Sequence, residues 1–92
     1  MISSFACERT EELFQTGKTR HFQSIAKVAL RKLDQLHVAD KLVDLAVPPG
    51  NRLEALSGDR QEQYSIRIND QWRVSFVWED GYATQVAIVD YH

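Results

Sequence analysis

Polar and apolar residues alternate most regularly between residues 64 and 78. Every second residue is apolar before a turn at residues 69–70, and the same alternation resumes after it. The apolar positions of the two segments are Tyr64, Ile66, Ile68, Trp72, Val74, Phe76 and Trp78. This period, with its aromatic and β-branched side chains, predicts two antiparallel strands whose apolar side chains face a core. The opposite face would then present Arg67 and Arg73 to solvent.

Helical spacing replaces this alternation in the first half of the chain. Residues 8–15 begin with acidic side chains and end just before Gly17, which predicts a short helix with carboxylates at its positive end and a glycine stop. Apolar residues recur at helical spacing over residues 22–38 and predict a longer helix. Residues 40–45 fit one more helical turn. The Pro-Pro-Gly-Asn stretch at residues 48–51 then breaks the chain.

Further short strands are predicted at residues 2–5, 53–56 and 82–89, with turns at residues 57–60 and 79–81. Helices come first along the chain and an antiparallel meander follows. This order predicts an α+β fold in which two N-terminal helices pack on one face of a twisted sheet.

Length and composition favour a small cytoplasmic protein. Ninety-two residues fit a single domain spanning residues 1–92. The chain has no apolar run long enough to cross a membrane, and its single cysteine cannot build a disulfide framework. A reducing cytoplasm is therefore the expected compartment.

Charge is distributed unevenly along the chain. The net charge of −2 argues against a nucleic-acid binder when the chain is taken as a whole. No acidic residue occurs from residue 13 to residue 33, however, where the basic residues are Lys18, Arg20, Lys27, Arg31 and Lys32. Such a block can bind phosphates. Charge patterning alone fits a solvated helix face equally well.

The sequence predicts neither a metal site nor a cofactor. His21, His37 and His92 have no helical or loop partner at ligand spacing. Asp90 and His92 share one face of a predicted strand, but a third ligand is missing. A glycine-rich phosphate loop is also missing from the sequence.

Candidate chemistry lies in the final triplet and in one strand arginine. The imidazole of His92 can move protons near neutral pH, Tyr91 can stack on a base, and Asp90 can orient an imidazolium. A polar strand end would have the same composition. Arg73 could pair with a carboxylate such as Glu54 or Asp90, or bind a phosphate and stabilise charge in a transition state.

Three stretches together resemble the HigB toxins of the RelE/ParE superfamily of bacterial toxin–antitoxin modules. They are PPGNRLEAL at residues 48–56, YSIRINDQWR at residues 64–73 and VDYH at residues 89–92. Residues 2–5 and the Gly-Lys-Thr-Arg connector at residues 17–20 fit as well. The resemblance covers essentially the whole chain.

This resemblance implies a RelE-like fold and a toxin that enters the ribosomal A site and cuts mRNA there. It implies a HigA-type antitoxin with a helix-turn-helix fold, so that operator DNA is contacted only through the antitoxin. The family's active-site residues fall on Arg73, Asp90, Tyr91 and His92. Some relatives also use a histidine and a lysine at positions where this chain has Glu54 and Ser57.

The residues fit metal-free RNA cleavage by attack of a 2′-hydroxyl on the adjacent phosphate. Such a reaction needs a base, a cation for the phosphate oxygens and an acid for the leaving 5′-oxygen. Glu54 or Asp90 could be the base, Arg73 the cation and His92 the acid, with Tyr91 stacking on or orienting the nucleotide.

The residues expected to bind RNA or the ribosome are Lys18, Arg20, Lys27, Arg31, Lys32 and Arg67. Two alternative functions remain at this point. The chain could be a ParE-like member of the superfamily acting on a protein such as gyrase. It could instead be a non-catalytic module whose basic helix binds a partner.

Overall fold

The structure is a computed structural model that describes residues 1–56 and 63–90. Ser57, Tyr91 and His92 lie outside the described residues, as does the turn predicted at residues 57–60. The helices are α1 (Glu8–Thr16) and α2 (Ala26–Val38), with 3₁₀ segments at Gln23–Ile25, Leu42–Ala46 and Pro49–Asn51. The strands are β1 (Glu54–Ala55), β2 (Gln63–Arg67), β3 (Trp72–Glu79) and β4 (Tyr82–Asp90).

The strands form one antiparallel sheet in the order β1-β2-β3-β4, which confirms the predicted meander. Ile66, Val74 and Phe76 are completely buried against the helices, as the alternation predicts. Because cross-strand partners share a face, the opposite face is identified by the pairing of Arg67 with Arg73. The predicted α+β architecture is therefore confirmed.

The β3–β4 pair contains a bulge and ends in a tight turn. Register shifts between Ser75 and Val77, and Gln85 on the facing strand has a φ of +52°. The turn uses Asp80 and Gly81, with φ values of +50° and +82°. Positive φ at both central residues is typical of the hairpin turn that matches strand twist.

The N-terminal segment (residues 1–6) lies along the outer edge of β4. Ile2 and Phe5 form isolated parallel bridges with Ala83 and Val86, which places a strand-like segment where the sequence predicts a short strand. The amide of Ile2 also donates to Nδ1 of His37, at 3.2 Å, on α2. This segment therefore covers the β4 edge and ties it to a helix.

Helix α1 follows the prediction closely, with Glu8 and Glu11 in its first turn and Gly17 (φ +73°) as its left-handed C-cap. Helix α2 begins at Ala26, four residues later than predicted. The Phe22 ring packs edge-on against Trp72, at 5.7 Å between centroids, and a 3₁₀ turn follows it. That long-range contact fixes the chain before the helix starts. Within the described ranges, no helix is long and apolar enough to cross a membrane.

Candidate active site and basic surface

Arg73 is buried on the sheet face opposite the helices, with only 5% of the residue exposed. Its Nε donates to Ser65 Oγ at 2.8 Å, and its Nη2 donates to the Ser65 carbonyl at 3.2 Å and the Arg52 carbonyl at 2.5 Å. The expectation of a solvent-facing guanidinium is therefore wrong. The backbone at Arg52 covers this part of the face, and protein oxygens replace water as acceptors.

Glu54 places a carboxylate beside this guanidinium. Its Oε2 lies 3.9 Å from Arg73 Nη2, and its side chain is 49% exposed. The register places Glu54 opposite Ser65, whose hydroxyl and carbonyl both accept from Arg73. A fixed cation and a half-exposed proton acceptor are thus adjacent across β1, β2 and β3.

Asp90 lies at the end of β4, on a different face from Arg73. It pairs with Trp72, whereas Val89 pairs with Arg73. Its Oδ2 accepts from Gln71 Nε2 at 3.2 Å. By strand alternation, the Asp90 side chain leaves the sheet on the helix side and the Arg73 side chain on the other. Of the sequence-predicted triplet only Asp90 is described, and it lies at the end of the sheet opposite Trp72 rather than beside Arg73.

Arg67 remains at the protein surface. Its guanidinium pairs with the fully exposed carboxylate of Asp70 across the β2–β3 turn. Solvent screens such a pair strongly, so the arginine can exchange this partner for another anion.

The predicted basic block divides into exposed and buried members. Lys18, Arg20, Lys27 and Arg31 are exposed, whereas Lys32 is only 8% exposed and its ammonium is directed to the buried Asn51 rather than to the surface that the other four share. Burial lowers the pKa of Lys32, and the neighbouring charges of Arg31 and Arg67 lower it further. Lys32 points inward because its ammonium donates to Asn51 Oδ1 at 2.5 Å.

Sequence analysis missed Asn51 as a buried polar centre. It is completely buried, and its Nδ2 lies 3.0 Å from Gln35 Oε1, 3.1 Å from the Leu45 carbonyl and 3.4 Å from the Val47 carbonyl. The Pro-Pro-Gly-Asn stretch indicates a turn, which is correct, but local pattern does not reveal acceptors on other elements. An asparagine in a turn next to apolar stretches is the only signal that sequence offers.

Comparisons with known proteins agree on one family. The family model described as "RelE-like toxin of type II toxin-antitoxin system HigB" matches residues 3–92. The toxin HigB-1 of Vibrio cholerae serotype O1 is 38% identical over 85 residues, covering 90% of each chain. The endoribonuclease HigB of Proteus vulgaris is 29% identical over 98 residues, covering 100% of each chain.

Solved structures of similar fold come from Staphylococcus aureus. The YoeB–YefM complex contains a chain that matches with a TM-score of 0.57 and 21% identity, over 100% of this chain and 95% of that one. A YoeB dimer matches with a TM-score of 0.56 and 21% identity, over 99% and 94% of the two chains. At this identity the likeness supports the fold alone.

Proposed function

Since the chain belongs to the HigB-like family of RelE-like toxins from type II toxin–antitoxin systems, we propose that it is a ribosome-dependent endoribonuclease. It cleaves mRNA in the ribosomal A site and so stops translation in the cytoplasm. The observation on which this proposal rests is the guanidinium of Arg73, held by three hydrogen bonds beside the half-exposed carboxylate of Glu54. The name of the Proteus vulgaris relative supports RNA as the substrate.

The proposed reaction begins when a 2′-hydroxyl attacks the adjacent phosphorus. The 2′-oxygen loses its proton to a base, the bond from phosphorus to the 5′-oxygen breaks, and an acid protonates the leaving oxygen. A cyclic phosphate and a 5′-hydroxyl result. Negative charge grows on the phosphate oxygens on the way, and a preorganised cation stabilises it most effectively.

Arg73 is the proposed cation, because its hydrogen bonds fix the guanidinium before substrate arrives. Glu54 is the proposed base, since its carboxylate is half-exposed and 3.9 Å from that cation. We place the scissile phosphate on the Glu54 side of the guanidinium. Asp90 remains the second candidate for the base, while His92 is the proposed acid and Tyr91 the residue that orients the nucleotide.

An antitoxin of the HigA type is the proposed partner, and operator DNA is contacted through it. The antitoxin assignment follows from membership of a toxin–antitoxin family, and the YoeB–YefM complex supports an antitoxin-bound state for this fold. The ribosome is the second proposed partner. The exposed basic residues that would contact its RNA are Lys18, Arg20, Lys27, Arg31 and Arg67.

The test is 5′-end mapping of mRNA after the purified protein is added to translating ribosomes, with free mRNA as a second substrate. We expect new ends within codons on ribosomes and far fewer on free mRNA. Glu54→Gln should lower cleavage, whereas Glu12→Gln makes the same chemical change on an exposed residue of α1 and should not. Intact mRNA together with inhibition of gyrase supercoiling would reject the proposal in favour of a protein target.

A further inference from the structure

We propose that Asn51 and Lys32 are positioning residues for Arg73, acting through the peptide carbonyl of Arg52. The inference rests on the proposed function, in which the Arg73 guanidinium stabilises charge on the scissile phosphate. It adds two residues that lie behind the site and are buried from substrate.

The side chain of Asn51 has hydrogen-bond partners on two parts of the protein. Lys32 Nζ donates to its Oδ1, and its Nδ2 faces oxygens of Gln35, Leu45 and Val47. Lys32 and Gln35 belong to α2, and the two carbonyls belong to the chain that precedes Asn51. One buried amide therefore joins a rigid helix to the irregular segment that leads into β1.

The backbone that follows Asn51 directly is held by two hydrogen bonds of its own. The Asn51 amide donates to the Pro48 carbonyl at 2.9 Å, and the Arg52 amide donates to the Pro49 carbonyl at 3.1 Å. Arg52 has a φ of +45°, which is costly for a residue with a Cβ and persists only where the surroundings hold it. This conformation directs the Arg52 carbonyl toward Arg73, and its oxygen lies 2.5 Å from Nη2.

Lys32 places a charged side chain in a buried position. An ammonium costs free energy to bury, and the hydrogen bond described for Lys32 goes to an amide oxygen. An apolar side chain would serve packing alone at lower cost. The Lys32 ammonium polarises Asn51 and anchors it to α2. This anchoring keeps the Arg52 carbonyl in place. Small displacements of a group that contacts the reacting atoms cost large factors in rate.

The experiment is a double-mutant cycle on cleavage by toxin-loaded ribosomes. Asn51→Asp is isosteric and keeps an oxygen for Lys32, but it loses the Nδ2 donor that holds the loop. Arg73→Lys keeps the charge and loses the forked donors. We expect Asn51→Asp to lower kcat by about tenfold or more with little change in KM. In the Arg73→Lys background the same change should have almost no further effect, because residues acting through one group are not additive.

A second measurement follows the Arg73 side chain itself. In ¹⁵N-resolved spectra, exchange of the Arg73 Nε–H with water should become faster in Asn51→Asp and in Lys32→Met. Lys32→Met replaces Asn51→Asp in this test if Asn51→Asp folds poorly. The matched control is Val86→Ala, a fully buried core change on β4, compared at a temperature where all variants are folded. It should lower the melting temperature while leaving kcat and the Nε–H exchange unchanged.

The outcomes separate the role of Arg73 in the proposed function from the positioning role of Asn51 and Lys32. Full activity in Arg73→Lys and Arg73→Ala would reject the proposed role of Arg73. Reduced activity in Arg73→Lys, with an equal and additive loss from Asn51→Asp in both backgrounds, would overturn the positioning role alone. Unchanged Nε–H exchange in folded Asn51→Asp would also overturn it.

Discussion

At the scale of single residues, hydrogen-bond partners distinguish two buried cations that look alike in the sequence. Arg73 and Lys32 are both almost fully buried, yet Arg73 has three described hydrogen-bond acceptors and a nearby carboxylate, whereas Lys32 donates to one amide oxygen. Arginine suits the first place because its planar fork reaches several acceptors at once. Lysine suits the second place because its compact ammonium can be directed at the single oxygen described there.

Arg73→Ala should abolish mRNA cleavage and also destabilise the protein. The Ser65 hydroxyl and the Arg52 carbonyl would lose a buried donor, at a cost of about 1–3 kcal/mol for such a group. Urea unfolding gives the stability and ribosome assays give the cleavage. A fully toxic, folded Arg73→Ala protein would contradict the assignment.

Lys32 should give stability an alkaline pH dependence. Its pKa in the folded state lies below the ordinary 10.5, so the unfolded chain binds the proton more tightly. The destabilising effect of its charge is fully present below the folded-state pKa and disappears as pH rises toward 10.5. Over this pH window, the free energy of unfolding of the wild type should therefore increase relative to that of Lys32→Met. Urea unfolding at a series of alkaline pH values measures this increase. The wild type should show no such increase relative to the exposed control Lys27→Met.

At the scale of elements, sequence predicts what local pattern determines. The alternation over residues 64–78 identified β2, β3 and their core face because strand period and burial act on neighbouring residues. The local pattern predicts that α2 begins at Phe22, whereas it begins at Ala26. The local pattern does not show the contact of Phe22 with Trp72, because Trp72 lies far along the chain. The burial of Arg73 and Lys32 depends on Arg52 and Asn51 in the same way, so no local pattern shows it.

The exposed basic residues of α2 and its preceding connector should control ribosome affinity. Neutralising Lys27 and Arg31, or Lys18 and Arg20, should weaken binding and flatten its dependence on salt, because fewer phosphate counterions are released. Lys32→Met should leave the salt slope unchanged, since its ammonium is buried. Co-sedimentation with ribosomes across a salt series is the measurement. An equal flattening in Lys32→Met would count against this surface.

At the scale of the whole molecule, the sheet separates a helix-covered side from the side that holds Arg73. The described part of the chain measures 31 × 26 × 26 Å. The face of Arg73 and the end of β4, where Asp90 lies, meet at the same end of β3 because Arg73 and Trp72 are its first residues. Under the proposed function, a nucleotide bound there would contact both.

Deleting Tyr91 and His92 should remove mRNA cleavage while leaving antitoxin binding and melting temperature nearly unchanged. The described core is complete by Ile88, and the proposed acid is lost with the deletion. Cleavage and thermal melting should be measured on the same protein. Undiminished cleavage would reject the catalytic role of the triplet. Lost cleavage with a large drop in melting temperature would mean that the two residues serve structure instead.

The pairing of the N-terminal segment with β4 has a consequence for how the protein is made. Ser3 and Ala83 are hydrogen-bonded although 80 positions separate them in the chain. Synthesis begins at the amino end, so residues 1–6 must wait without their partner strand until β4 has been made. Contacts of such long sequence separation form late and slowly. A partly translated chain therefore lacks this edge pairing, and its sheet is completed only when the chain is nearly finished.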